Sequence, residues 1–177
     1  MAAAPPKPAV RAAASAQAPG NTPSEGVSLG VGQSFGASGA SLISLDWWLA
    51  ESFGVGFETG FTYRSRDIAV PVGSVTRLVH RVDYAVEPSL DVRWAAVTAG
   101  LNRFYLVAGG GPRLDKPDAQ TLATGFDAYA GPGIDYHLGD GVSLGAEARI
   151  MVSAAKDRTA GIAAGAATVA SLHWWFE

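Results

Sequence analysis

The sequence predicts an all-β chain whose main domain is an eight-stranded antiparallel up-and-down barrel, and three observations predict it. From Ser24 onward, apolar and polar residues alternate with period two. Clusters of Gly, Asp, Ser and Pro interrupt that alternation at intervals suited to turns. The connections also alternate in size, tight at one rim and longer and polar at the other, as they do where strands run up and down around a barrel.

Composition bounds the answer first. A chain of 177 residues suits one domain with a tail. No stretch of about eighteen apolar residues occurs, which excludes a spanning helix. Charged residues make up 16%, and lysine is confined to Lys7, Lys116 and Lys156. A net charge of −3 suggests no nucleic-acid partner. The lack of cysteine removes disulfides and thiolate metal sites. Residues 1–24 are nearly all Ala, Pro, Ser and Gln and have little to bury, so a disordered or partly polyproline segment is expected there. Pro5, Pro6 and Pro8 break any apolar signal core, while Ser15-Ala16-Gln17-Ala18 resembles a cleavage zone. A linker and the remnant of a targeting region both remain open. The barrel domain is expected over 25–177.

Within it the strands are expected at 26–36, 40–49, 54–65, 78–94, 103–112, 124–137, 141–154 and 162–176. Tight links are expected near Glu51-Ser52-Phe53 and Leu138-Gly139-Asp140-Gly141 and a short one at 95–102. Longer polar links are expected at 66–77 and 113–123. Strand parity then separates two faces. Val55, Phe57 and Phe61 oppose Gly54, Glu58 and Arg64. Val82, Tyr84, Leu90, Val92 and Trp94 oppose Arg81, Asp83, Glu87, Asp91 and Arg93. Phe126, Ile134 and Tyr136 oppose Asp127 and Asp135, and Leu144 and Ile150 oppose Glu147 and Arg149. In the fifth and eighth strands Val107 and Val169 break the pattern by falling on the polar side.

Alternation alone does not say which face points outward, and a soluble lipocalin-like carrier would put the apolar face inside. Three features favour the reverse. All three lysines lie outside the expected strands, where a solvated outer face would carry them. The polar face mixes charges of both signs with Gly and Ser, which suits a narrow lumen where buried charges must pair. Aromatic residues gather at strand ends: Trp47, Phe53, Trp94, Phe104, Tyr136, Trp174 and Phe176 at one rim, and Phe35, Phe61, Tyr63 and Phe126 at the other. Two aromatic girdles around an aliphatic band are what a lipid interface selects. The fold expected is therefore a transmembrane β-barrel.

Three segments carry a family resemblance: Trp47-Trp48-Leu49-Ala50-Glu51-Ser52-Phe53-Gly54-Val55-Gly56, Phe104-Tyr105-Leu106-Val107-Ala108-Gly109-Gly110-Gly111, and Gly131-Pro132-Gly133-Ile134-Asp135-Tyr136 with Gly145-Ala146-Glu147. Together with the closing Leu172-His173-Trp174-Trp175-Phe176-Glu177, they make the chain, over about 25–177, resemble the small eight-stranded outer-membrane barrels: OmpX, the OmpA transmembrane domain and the opacity-type proteins. The resemblance implies an outer-membrane location with the N-terminal tail in the periplasm. It also implies contact with outer-membrane lipid and lipopolysaccharide, and recognition by the barrel-assembly machinery through a terminal aromatic. Phe176, here penultimate, takes that last role. The family includes anchors, adhesins, narrow channels and a few lipid-modifying enzymes, so it implies architecture more than activity.

A search for chemistry returns little. His80, His137 and His173 are isolated, which supports no metal site, and nothing points to a cofactor. Ser171 and His173 share a strand face and could form a hydrolytic dyad with a carboxylate. That face is the expected inner one, away from an acyl chain, so no enzymatic role is expected. Glu58, Arg64, Arg81, Asp83, Glu87, Asp91, Arg93, Asp127, Asp135, Glu147 and Arg149 are expected to form an ion-pair network that plugs the lumen. The function expected is a monomeric, non-enzymatic anchor that presents surface loops. The alternatives are a narrow passive channel and a soluble lipocalin-like carrier of an apolar ligand.

Overall fold

A computed structural model describes residues 26–36, 39–73, 75–116, 122–139, 141–155 and 161–176. The expected tail over 1–24 lies outside the described residues. Eight strands follow in order: β1 (Gly26–Gly36), β2 (Ser41–Ala50), β3 (Phe53–Val72), β4 (Val75–Ala99), β5 (Asn102–Lys116), β6 (Ala123–Gly139), β7 (Val142–Ala155) and β8 (Gly161–Phe176). Each pairs antiparallel with the next, and β8 pairs with β1 from Val27↔Phe176 to Gly36↔Ala167, so the sheet closes into a barrel. Closure removes the free edges that an open sheet would present. The start of β1, the end of β8 and the turns Glu51-Ser52 and Gly100-Leu101 share one rim.

The orientation of the faces follows directly from burial. Along β2, Leu42, Ser44, Asp46 and Trp48 are buried while Ser41, Ile43, Leu45 and Trp47 are exposed. The same alternation turns Leu29, Val31, Phe57, Leu90, Leu106, Ile134, Leu144 and Ile150 outward around the wall. The interior instead holds Asp46, Glu58, Asp91, Arg93, Glu147 and Arg149, all buried. A continuous outward apolar band is untenable in water and suited to hydrocarbon, where a closed barrel satisfies every backbone group. This corrects the lipocalin-like alternative, because no apolar pocket can occupy an interior filled with guanidinium and carboxylate groups. Val107 and Val169, the exceptions to parity, do face inward: Val107 packs with Trp48, Tyr105 and Tyr129, and Val169 with Ala40 and Leu42.

The long connections differ from expectation. Residues 66–77 are not a polar loop, because β3 and β4 stay paired up to Val72↔Val75. Ile68, Val70, Val72, Val75 and Val79 sustain the strand, and Gly73, at φ 63°, starts a two-residue turn that favours a glycine there. Pairing to β2 ends at Ser41↔Phe61 and to β5 at Tyr84↔Lys116, so the hairpin runs on alone. It projects by about 30 Å at the usual rise per strand residue. Likewise β5 extends to Lys116, which places that lysine inside a strand, its Nζ 5.8 Å from the Tyr84 ring centroid.

One close approach tests the wall itself. The ladder between β4 and β5 breaks off at Val86↔Leu114 and resumes at Leu90↔Gly110, around Pro88, which has no N–H to donate. A Cβ at Gly111 would collide with the Pro88 carbonyl oxygen. Gly111→Ala is therefore expected to destabilise the barrel by about 1–3 kcal/mol, the usual cost of overpacking. The check is the fraction of protein migrating as a compact band in unboiled gel samples.

Candidate functional site

The lumen is filled in three layers, and its middle layer is an ion-pair network. Arg149, on β7, reaches across to Glu58 on β3 with two parallel bonds, Nη1–Oε1 at 2.7 Å and Nη2–Oε2 at 2.9 Å, and its Nε donates to Glu147 Oε2 at 2.6 Å. Bidentate geometry of this kind is the strong form of the carboxylate–guanidinium pair. Arg93, on β4, pairs through Nη2 with Asp46 Oδ1 at 2.8 Å and through Nε with Asp91 Oδ1 at 3.0 Å, and lies 3.7 Å from Glu147 Oε1. Tyr105 donates its hydroxyl to Glu147 at 2.8 Å, and the Arg149 guanidinium stacks 4.2 Å from the Tyr129 ring centroid. Each charge thus has an oppositely charged partner, as burial demands.

Aromatic side chains close the layer nearest the short-turn rim. Trp48, only 1% exposed, meets Tyr105 edge-on at 5.9 Å. The Arg103 guanidinium lies 4.5 Å from the Trp48 ring and 5.6 Å from that of Trp175, so one cation bridges two indoles. Trp175 donates Nε1–H to Ser143 Oγ at 2.8 Å and stacks at 5.4 Å on His137. Asp135 is buried and stands opposite Arg103 in the β5–β6 register.

Towards the long-loop rim the third layer is acidic. Arg113 on β5 touches Asp115 at 2.7 Å, Glu87 at 3.5 Å and Asp127 at 3.9 Å. Beside them a cavity of about 30 Å³ is lined by Glu58, Glu87, Asp127, Tyr129 and Ser34 among others.

Some residues expected in the plug lie elsewhere. Arg64, Arg81 and Asp83 sit on the projecting part of the hairpin, Arg64 exposed and the other two half-buried. Asp83 pairs with Arg66 at 3.2 Å, at the mouth rather than in the lumen. Their strand parity matches the lumen, but the neighbouring strands stop below them. The eleven girdle aromatics, from Phe35 to Phe176, all face outward and exposed. Tyr84, opposite Tyr63 in the register, joins the upper girdle.

Sequence reasoning missed Asp46, Arg103, Trp48 and Tyr105 as lumen residues. Parity could have found the first: Asp46 is the one charge in β2 and lies between Ser44 and Trp48 on the same face. Asp46 also completes a sequence of contacts with the Ser171–His173 pair. Ser171 Oγ lies 2.6 Å from His173 Nε2, and His173 Nδ1 lies 2.9 Å from Asp46 Oδ2. This is the order of a hydrolytic triad. Here the carboxylate also serves Arg93 and accepts from Ser44 Oγ at 3.2 Å, and Ser28 Oγ lies 3.5 Å from His173. The trio is thereby stitched into the lumen network.

A closed eight-stranded wall, an outward apolar band between aromatic girdles and a charge-filled interior together define a transmembrane β-barrel. Neither a protein-family model nor a curated protein matches the sequence. Among solved structures the chain is similar to the N-terminal β-barrel domain of Pseudomonas aeruginosa OprF, at 15% identity and a TM-score of 0.56, over 85% of this chain and 97% of that one. It also matches the outer membrane protein AlkL, solved in DMPC lipid bilayers, at 13% identity and a TM-score of 0.43, over 100% of this chain and 97% of that one. The OprF likeness is one of fold, and it agrees with the small-barrel architecture the sequence resembles.

Proposed function

We propose that this chain is an integral outer-membrane protein that anchors in the bilayer without enzymatic activity and presents its long β3–β4 hairpin and outer links to the exterior. The observation that carries this reading is the contrast between the two ends of the molecule. The Trp48–Arg103–Trp175 stack and the Arg93–Arg149 network occupy the lumen, while the hairpin extends well past the neighbouring strands. An eight-stranded barrel has interior space for side chains and little else. The tail preceding β1 belongs on the periplasmic side in this reading, since β1 starts at the short-turn rim. Arg66, Arg77 and Lys116 near the outer rim suit lipopolysaccharide phosphates, through charge-assisted hydrogen bonds. Phe176, outward at the end of β8, suits recognition by the assembly machinery.

The test is planar-bilayer recording with the purified protein. No resolved current steps are expected, and reproducible steps would overturn the plug in favour of the narrow channel. The non-enzymatic part has its own check, because an active triad makes its serine reactive. A fluorophosphonate probe is expected to leave the folded protein unlabelled. Labelling that disappears in Ser171→Ala would overturn that part alone.

A further inference from the structure

The β3–β4 hairpin ends in an apolar tip above a charged stem. In the stem Arg64 stands opposite Asp83, Arg66 opposite Arg81 and Asp67 opposite His80. At the tip both strand faces turn apolar, Thr76 and Arg77 apart. Ile68, Val70 and Val72 share one face with Val75 and Val79, and Ala69 and Pro71 share the other with Leu78. Val72, Val75 and Leu78 are each more than half exposed. Residues 68–79 carry a single charge, that of Arg77, which stands opposite Val70 two residues behind the tip. Over 64–83 four arginines face two aspartates, so the hairpin as a whole is cationic. A strand pair that packs on protein needs one apolar face and keeps the other solvated. A tip apolar on both faces is penalised in water and suits immersion in an apolar medium.

We propose that this tip docks on a second, anionic lipid surface facing the membrane that the barrel spans. The inference rests on the outward presentation of the hairpin and deepens it by naming the partner. The barrel's own bilayer is out of reach, because Val72↔Val75 lies nine register positions beyond Tyr63↔Tyr84 of the upper girdle, about 30 Å along the strands. Apolar side chains enter a bilayer interface to a depth of about 5–10 Å. Val72 and Val75, with Val70 and Pro71 behind them, occupy that depth. Arg77, about 7 Å behind the tip, is then level with headgroup phosphates and can donate to them. The stem arginines add a longer-range attraction to anionic lipid that salt screens. A groove on a protein would take one face of the ribbon and leave the other in water, whereas a lipid surface receives both.

The test uses the full chain folded into nanodiscs of phosphatidylcholine, with phosphatidylcholine–phosphatidylglycerol vesicles as the second surface. The chain has no cysteine, so Thr76→Cys carries a single environment-sensitive label beside the tip. A blue shift and a saturable rise of its emission are expected when vesicles are added, both weakened by salt. Val72→Asp combined with Val75→Asp is expected to weaken vesicle binding about tenfold or more, since a charged tip is excluded from the interface. Arg77→Gln is expected to weaken it about fivefold, the worth of one cation near an anionic surface. Folding of every variant is checked by the mobility difference between boiled and unboiled samples. Emission that ignores the vesicles, equal binding to vesicles of phosphatidylcholine alone, or full binding by the folded Val72→Asp/Val75→Asp variant would each overturn the proposal. Emission already shifted before vesicles are added would place the tip on its own bilayer or on a second copy, and would overturn it too. A heat-modifiable barrel in nanodiscs whose tip ignores the vesicles overturns this inference and leaves the anchoring reading untouched.

Discussion

Arg149→Met is expected to lower the unfolding free energy by about 3–5 kcal/mol, because removing one member of a buried ionic cluster strands the others. Glu58 would lose both of its Arg149 bonds, and Glu147 would keep only Tyr105 and the more distant Arg93. Methionine keeps much of the side-chain volume, so the loss reports charge and not a void. The check is urea unfolding from micelles, read as a shift of midpoint at constant slope. Adding Glu58→Gln and Glu147→Gln to Arg149→Met is expected to recover much of the loss, since neutral partners cost far less to bury than stranded charges. A loss below about 1 kcal/mol would place Arg149 in solvated surroundings, where ion pairs are worth little.

The adjacent residue supplies the opposite experiment. Ile150 is 70% exposed on the outer wall, paired with Ala130 on β6 and Ala166 on β8. It lies about midway along β7 between Leu144, beside Tyr136 of the lower girdle, and Ala154, beside Phe126 of the upper one. Ile150→Arg is expected to cost about 2–4 kcal/mol when the protein is folded in lipid vesicles, the price of a cation at the bilayer midplane. On a solvated surface the same change would stay within about 0.5 kcal/mol. Neighbouring positions on one strand thus carry opposite rules: at 149 the charge is required, at 150 it is rejected.

Much of this was legible in the sequence because a strand's period is two and a barrel wall has two solvents. Glu147-Ala148-Arg149-Ile150 states its inner and outer faces without help from any other segment. The Trp47-Trp48 pair divides by the same rule, one indole outward and one in the lumen. Axial position is harder to read, because it depends on where neighbouring strands stop. Arg64, Arg81 and Asp83 have lumen parity, yet β2 ends opposite Phe61 and β5 opposite Tyr84, so they emerge above the wall. The hairpin itself was obscured by Arg66, Asp67, Pro71 and Arg77, residues that suggest a loop, although Val72-Gly73-Ser74-Val75 carries a two-residue turn signal. Partnerships were the least accessible. Asp46 on β2 meets Arg93 on β4 and His173 on β8, and the last of these contacts exists because β8 closes onto β1.

The central claim is that the apolar face of this barrel meets lipid and the charged face fills its interior. The most direct measurement is gel mobility of the detergent-extracted membrane fraction, boiled and unboiled, with far-UV circular dichroism on the same material. A membrane-bound protein with a β spectrum and a band that shifts on boiling is the expected result. A protein recovered from the aqueous phase without detergent, with no mobility shift, would contradict the account and reverse its inside and outside.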